Sequence, residues 1–176
     1  MLHAPDPASV LGDGASAVVL RRGVRGRLIL DTELWSDGAL HDVYYIPGGA
    51  LAHPDRPELY RLVLDKRRYD AAPKMEVLKR LAARLCERAP VRLEDVKLFL
   101  YPNISTADRA AFGEAFGLRP EAMTGSSPLA NGHLQGNDFV ANYLAAESHG
   151  RLHEGDYVLM ASHGMGYLEG VSLMRC

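Results

Sequence analysis

The chain has 176 residues, 47% of them hydrophobic and 24% charged, a size and mix suited to one globular domain with a core of its own. Lys and Arg number 20 against 22 Asp and Glu, and a net charge of -2 gives no support to a nucleic-acid platform. No apolar run approaches the roughly 20 residues of a membrane helix, residues 1–7 lack the basic and apolar regions of a signal peptide, and Cys86 and Cys176 make no disulfide framework, so a reducing, cytoplasmic setting is expected.

Residues 1–9, rich in Pro, Asp and Ala, read as a lead-in. Gly12-Asp13-Gly14 is a tight turn, and Ala15 to Leu20 has the small, β-branched pattern of a buried strand. Leu28, Leu30 and Leu34 alternate within a second strand over residues 26–35. Residues 36–70 are irregular, with many Pro and Gly, and are broken only by short strands at 43–46 and 60–64; long ordered loops of this kind are often functional. Pro73 opens a helix that places Met75, Leu78, Leu81, Ala82 and Leu85 on one face. Lys74, Lys79, Arg80, Arg84 and Glu87 fall mostly on the other face, and Pro90 ends the helix. Residues 96–100 read as a buried strand. Ser105 or Thr106 caps the next helix, with Asp108 at capping-box spacing and Phe112 and Phe116 as an i,i+4 core pair. Residues 123–136 read as loop and 138–148 as a third helix closed by Gly150. Strands at 157–161 and 171–175 flank the glycine turn Gly164-Met165-Gly166. Strands alternating with helices imply an α/β domain over residues 1–176, its sheet largely parallel and buried between helices.

Three stretches carry candidate chemistry. His133 lies in a Gly-flanked loop directly before a helix, where an imidazole serves as general base or as donor to a developing oxyanion; the bland alternative is a turn histidine that closes the loop. Asn103 stands where a strand ends and a helix begins, a place where ligands collect in open α/β sheets; alternatively it makes only an Asx turn. The Gly164-Met165-Gly166 turn lets backbone N–H groups approach a ligand, as half an oxyanion hole or simply as a hairpin. Neither cysteine has a base or a helix N-terminus beside it in sequence, so neither reads as a nucleophile. The other histidines show no metal-ligand spacing, and His149 and His153 are separated by Gly150; no metal or cofactor is expected. Lys66-Arg67-Arg68 reads as a solvated loop.

The ordered set formed by Gly12-Asp13-Gly14-Ala15 through Leu20, Ile46-Pro47-Gly48-Gly49, the helix from Pro73 to Arg88, and Gly150 through Gly155-Asp156-Tyr157 to Gly164-Met165-Gly166 resembles the C-terminal half of the type III β-ketoacyl-acyl-carrier-protein synthases of the thiolase superfamily. The resemblance runs from about Val10 to Cys176 and implies a thiolase-like mixed five-stranded sheet flanked by helices. It implies that the cysteine-bearing N-terminal half is absent. The family's histidine follows a proline at a strand end; here Tyr101-Pro102-Asn103 places Pro102 or Asn103 in that slot. The family's asparagine slot holds His133, and Gly132-His133 with Asp138 resembles a branch of acyl-transferring synthase-like proteins. By the same resemblance His133 and Asn103 are the catalytic positions, Asp138 orients or caps, and the Met165 backbone N–H is an oxyanion donor.

The expected activity is acyl transfer from an acyl-CoA or acyl-carrier-protein thioester in fatty acid, polyketide or secondary-metabolite synthesis, with a cysteine-bearing first half or partner subunit, in a homo- or heterodimer. Decarboxylative condensation is the alternative and ranks second, since in the family it needs His and Asn together and one His remains here. A non-catalytic remnant or scaffolding subunit is the other alternative. The family's CoA-contacting residues are not matched, and neither nucleic acid nor membrane is an expected partner.

Overall fold

A computed structural model of the chain describes residues 10–23, 25–48, 52–124 and 131–176. The lead-in, Gly49 and residues 125–130 of the expected loop lie outside the described residues. The main sheet has five strands: β1 (Leu28–Ser36), β4 (Val96–Leu100), β5 (Met123–Thr124), β6 (Tyr157–Gly164) and β7 (Leu168–Arg175), in the order β1-β7-β6-β4-β5. Two short strands, β2 (Tyr44–Tyr45) and β3 (Val63–Leu64), pair as a separate ribbon. The helices are α1 (Lys66–Ala71), α2 (Lys74–Arg88), α3 (Thr106–Ala115) and α4 (Asn137–Ser148).

Strand β4 runs parallel to both β5 and β6, whereas β6–β7 and β7–β1 are antiparallel. The sheet is therefore mixed rather than largely parallel. The physical reason is the glycine turn after Gly164, which returns the chain at once as a hairpin instead of through a crossover helix.

Strands β4 and β6 are buried on both faces, so alternate side chains feed two cores. Phe99, Tyr101, Leu159 and Ala161 join Val77, Leu78, Leu81 and Leu85 of α2 with Phe112 and Phe116 near α3. Leu98, Leu100 and Val158 join Ala146, Phe139 and Tyr143 of α4 on the other face. Each fully buried aliphatic or aromatic group contributes about 1.5–3 kcal/mol relative to exposure. Helix α2 forms as its periodicity predicts, with Pro73 at the N-cap and Ala89 at the C-cap. Lys74 departs from the expected outer face: it is buried, because its ammonium reaches Asp108 at 2.7 Å. Ser105 caps α3 by accepting the Asp108 N–H at 3.0 Å.

Three local expectations are corrected. Met123 and Thr124 form β5 rather than loop, since β4 offers a free parallel edge. Lys66, Arg67 and Arg68 open helix α1, capped by the Asp65 side chain on the Arg68 N–H, instead of lying in a loop. The segment Ala15–Leu20 is no strand of either sheet, and Val18, Val19 and Leu20 are 65%, 94% and 72% exposed. A strand needs a ladder as well as an apolar pattern, and the sheet closes on β1 without taking this segment.

Candidate active site

The carboxyl ends of the parallel strands β4, β5 and β6 share one end of the sheet, and the chain leaves them into the Asn103 segment, the loop before α4 and the glycine turn. Ligands gather at such an end. The first two of these segments meet at Asp138 in the first turn of α4.

Asp138 is fully buried, and so are Asn103 and Asn142. One carboxylate oxygen accepts the Asn103 backbone N–H at 2.8 Å and lies 2.5 Å from Nδ1 of His133. The other accepts the Leu134 N–H at 2.8 Å and the Asn103 side-chain amide at 3.3 Å. An ionised carboxylate accepts only. Nδ1 of His133 therefore donates to it, which in the neutral ring leaves the lone pair on Nε2. Burial works against the charge on Asp138, but the His133 ring and the Leu134 and Asn103 amides outweigh it and hold the carboxyl below its usual range. The His133 side chain is 13% exposed, so the ring lies at a rim above a buried anchor.

The main chain of His133 is clamped as firmly as its ring. The His133 N–H donates to the Val10 carbonyl at 2.7 Å, and the Gly12 N–H donates to the His133 carbonyl at 3.1 Å, a short parallel bridge. This approach requires glycine on both sides. A Cβ at Gly12 would stand 2.0 Å from the Asn131 carbonyl oxygen, and one at Gly132, where φ is +68°, would stand 2.6 Å from the Val10 oxygen. Gly12-Asp13-Gly14 thus serves as a brace for the histidine loop, and Asn137 adds a bond to the Gly14 carbonyl at 3.1 Å. Gln135 holds a left-handed φ of +57° in the same loop, a conformation that costs a non-glycine residue about 1 kcal/mol or more and is common near functional groups.

Asn103 is placed inside this network. Its side-chain amide donates to Asp138 and to Asn142 at 3.3 Å, and Asn142 donates back to the Asn103 oxygen at 3.2 Å and to the Tyr101 carbonyl at 3.3 Å. Asn142 is the member that sequence reasoning missed. Its signal was the i,i+4 spacing from Asp138, which places both on one face of α4. Met165 lies half exposed in the turn between β6 and β7, at the same end of the sheet, and joins none of these bonds.

Neither cysteine enters the site. Cys86 lies on α2 with its thiol pushed up by burial, and Cys176 lies 3.5 Å from the Tyr143 hydroxyl. A shallow cavity of about 240 Å³ lies on the α4 side of the sheet, lined by Leu34, Phe139, Met160, Ser162, Gly170 and Ser172. It does not include His133. Among the described residues, no group of three His, Cys, Asp or Glu side chains is placed to hold a metal ion, and no helix is long and apolar enough to cross a membrane.

No family model matches the chain. Two curated relatives are each 27% identical over 176 aligned positions that span 94% of this chain and 51% of the relative: the β-ketoacyl-[acyl-carrier-protein] synthases III of Symbiobacterium thermophilum and Syntrophomonas wolfei. The chain thus spans about half the length of the curated relatives it matches. Among solved structures, the 3-oxoacyl-[acyl-carrier-protein] synthase III of Aquifex aeolicus superposes with a TM-score of 0.71 at 18% identity, covering 88% of this chain and 46% of that one. The Thermus thermophilus synthase III gives 0.72 at 22% identity, covering 88% and 48%. Xanthomonas campestris OleA, solved with lauric acid and lauroyl-CoA, gives 0.68 at 16%, covering 85% and 41%. The fold is the thiolase-like mixed sheet that the sequence resemblance implied, and the resemblance to synthase III enzymes extends over nearly the whole chain.

Proposed function

We propose that this chain supplies the histidine–aspartate part of an acyl-thioester transferase site of the synthase III kind, as the C-terminal half of a protein whose nucleophilic thiol comes from a cysteine-bearing first half or partner subunit. The observation that carries this reading is the dyad itself: Nδ1 of His133 is tied to the buried Asp138 and Nε2 points out of that network as the base. A base so placed takes the proton of a thiol as the thiolate attacks the thioester carbonyl. It returns a proton to the leaving group or accepts one from an incoming alcohol, amine or thiol. The Met165 amide, at the same end of the sheet, is the proposed donor to the tetrahedral oxyanion.

Asn103 supports transfer over decarboxylative condensation. Condensation asks a histidine and an asparagine to donate together to an enolate oxygen, whereas the Asn103 amide is spent on Asp138 and Asn142. Asn103 then acts as a positioning residue, through Asp138. Two surfaces favour a partner over a self-sufficient enzyme. Val18, Val19 and Leu20 form an exposed apolar run, and Leu34, 63% exposed, opens the sheet face beside the Phe139–Met160 cavity. Large apolar surfaces of this kind mark contact sites. The unpaired Cys86 and Cys176 agree with a cytoplasmic setting.

The test mixes the purified chain with a cysteine-bearing synthase III first half and an acyl-CoA, and follows acyl-enzyme formation by intact mass. Acylation of the partner that depends on this chain and is lost in His133→Gln is the expected result. Absence of both a complex and an acyl-enzyme would sink the proposal, and a carbon–carbon product formed with release of CO2 once a malonyl thioester is added would favour condensation.

A further inference from the structure

A second histidine–carboxylate pair lies beneath the β6–β7 turn and is not part of the network at His133. His163 and Glu169 face each other across the ladder, and Nδ1 of His163 meets an oxygen of Glu169 at 2.7 Å. Their side chains are 3% and 0% exposed. The imidazole stacks on Tyr44 at 5.5 Å between centroids, while Tyr69 and Tyr167 close on it edge-on at 6.3 and 5.3 Å. Nε2 of His163 and the second oxygen of Glu169 are buried without a hydrogen-bond partner. Lys74 and Asp108 from α2 and α3 close the surroundings, and the Tyr101 hydroxyl faces Asp108 without closing a well-formed bond.

Stability does not account for this pair. Each buried polar atom left without a partner costs about 1–3 kcal/mol, and an apolar pair of like shape is commonly as stable or more so. Burial pushes the Glu169 carboxyl above its usual range, with the His163 ring pulling the other way. The position of the pair is more telling. The next rung of the ladder is Gly164 with Leu168, and beyond it lie only Met165, Gly166 and Tyr167. Tyr167 and Gly166 hold left-handed φ values of +58° and +78°. Glycine-rich strand ends specify register weakly, since glycine adds freedom and no packing.

We propose that His163 and Glu169 form a buried cross-strand lock that fixes the turn carrying Met165, which makes both of them positioning residues. The lock rests on the transfer reading only in that the Met165 amide is the group being positioned.

Three variants of the whole chain test it. Glu169→Gln keeps an acceptor for Nδ1, Glu169→Leu removes it, and His163→Phe with Glu169→Leu replaces the pair by apolar groups. Backbone ¹⁵N order parameters over residues 164–168 are measured together with the long-range ¹H–¹⁵N pattern of the His163 ring. The parent and Glu169→Gln are expected to keep the turn near the rigid value of about 0.85, with one ring tautomer. Glu169→Leu is expected to drop the turn below about 0.6 and to mix the tautomers, while Leu159 and Leu173 stay rigid. The double variant is expected to show the same loose turn on a chain that resists denaturant better than Glu169→Leu does. A turn as rigid in the double variant as in the parent overturns the lock, and that variant decides the matter if Glu169→Leu does not fold. No acyl group enters the measurement, so a failed lock leaves the transfer chemistry standing, and failed transfer leaves the lock standing.

Discussion

Nδ1 of His133 lies 2.5 Å from the carboxylate of Asp138, five residues further along the chain and in the first turn of the next helix. The carboxylate is itself held by three further donors from two segments, the Asn103 amide and side chain and the Leu134 amide. An imidazole anchored this way has its tautomer chosen for it. The arrangement matters because the proposed chemistry needs the lone pair on Nε2.

Replacing Asp138 by Asn reverses that choice. An asparagine amide donates to Nδ1, which drives the ring proton to Nε2 and removes the base. In the reconstituted pair with a cysteine-bearing half, Asp138→Asn is expected to lower the acylation rate by about 10³–10⁴-fold, the order seen when a base loses its orienting carboxylate. Single-turnover acylation of the partner measures the loss. A change of less than tenfold removes Asp138 from the proposed mechanism.

The same carboxylate makes the fold acid-sensitive. Its folded-state pKa is depressed, so its contribution is present above the ordinary carboxylate value and is lost progressively as pH falls from there through the lowered folded value. Denaturant midpoints are expected to fall from about pH 5 downward. Asp138→Asn is expected to start lower at neutral pH and to change less on acidification. Exposed carboxylates such as Asp31, Asp42, Glu58 and Asp95 are depressed by arginine partners as well. Salt screens those surface pairs but not a buried one. Repeating the titration at about 1 M salt should therefore preserve the difference between parent and variant; a difference that disappears assigns the effect to the surface.

Lys74 and Asp108 provide a separate test of the core. Both are largely buried, and Asp108 holds the Lys74 pKa up against the burial that opposes it. Lys74→Met leaves Asp108 without its cation and is expected to cost about 3 kcal/mol, whereas Lys74→Met with Asp108→Leu is expected to recover most of that loss. Urea unfolding of the two variants measures it. Asp108→Leu alone closes the cycle, and additive losses would mean that the pair is not coupled.

Helix α2 and the loop histidine were legible because their signals are local: Pro73 with a 3.6-residue apolar period marks the helix, and flanking glycines ahead of a helix mark His133, whereas Asp138 came only with the family resemblance. The His163–Glu169 and Lys74–Asp108 pairs were not legible. Strand register creates the first across a hairpin, and the packing of α2 on α3 creates the second over 34 positions. The first lies within seven residues, but which of them face each other is decided by the register of the turn, and the second lies in no local window. The error at Ala15–Leu20 has another origin: the pattern is that of a strand, but a strand is a property of two segments, and the sheet described here contains no second one for it.

The open sheet face makes the last prediction. Leu34 projects from β1, 63% exposed, beside a cavity lined by Phe139, Met160 and Gly170. A Cβ on Gly170 would stand 3.0 Å from the Leu34 side chain, so the two strands pack closely here and leave a flat apolar floor. A charge placed on that floor has to be desolvated when a partner covers it, and an uncompensated charge at the centre of an interface costs several kcal/mol. The folded chain alone gives up little, because substitutions at so exposed a position change stability by about 0.5 kcal/mol or less. Leu34→Asp is therefore expected to leave the unfolding midpoint of the chain unchanged while abolishing its association with the cysteine-bearing half in sedimentation velocity. Lys79→Asp on the outer face of α2 serves as the control for charge alone. Loss of association in both variants would point to net charge, and retention in Leu34→Asp would place the partner on some other surface.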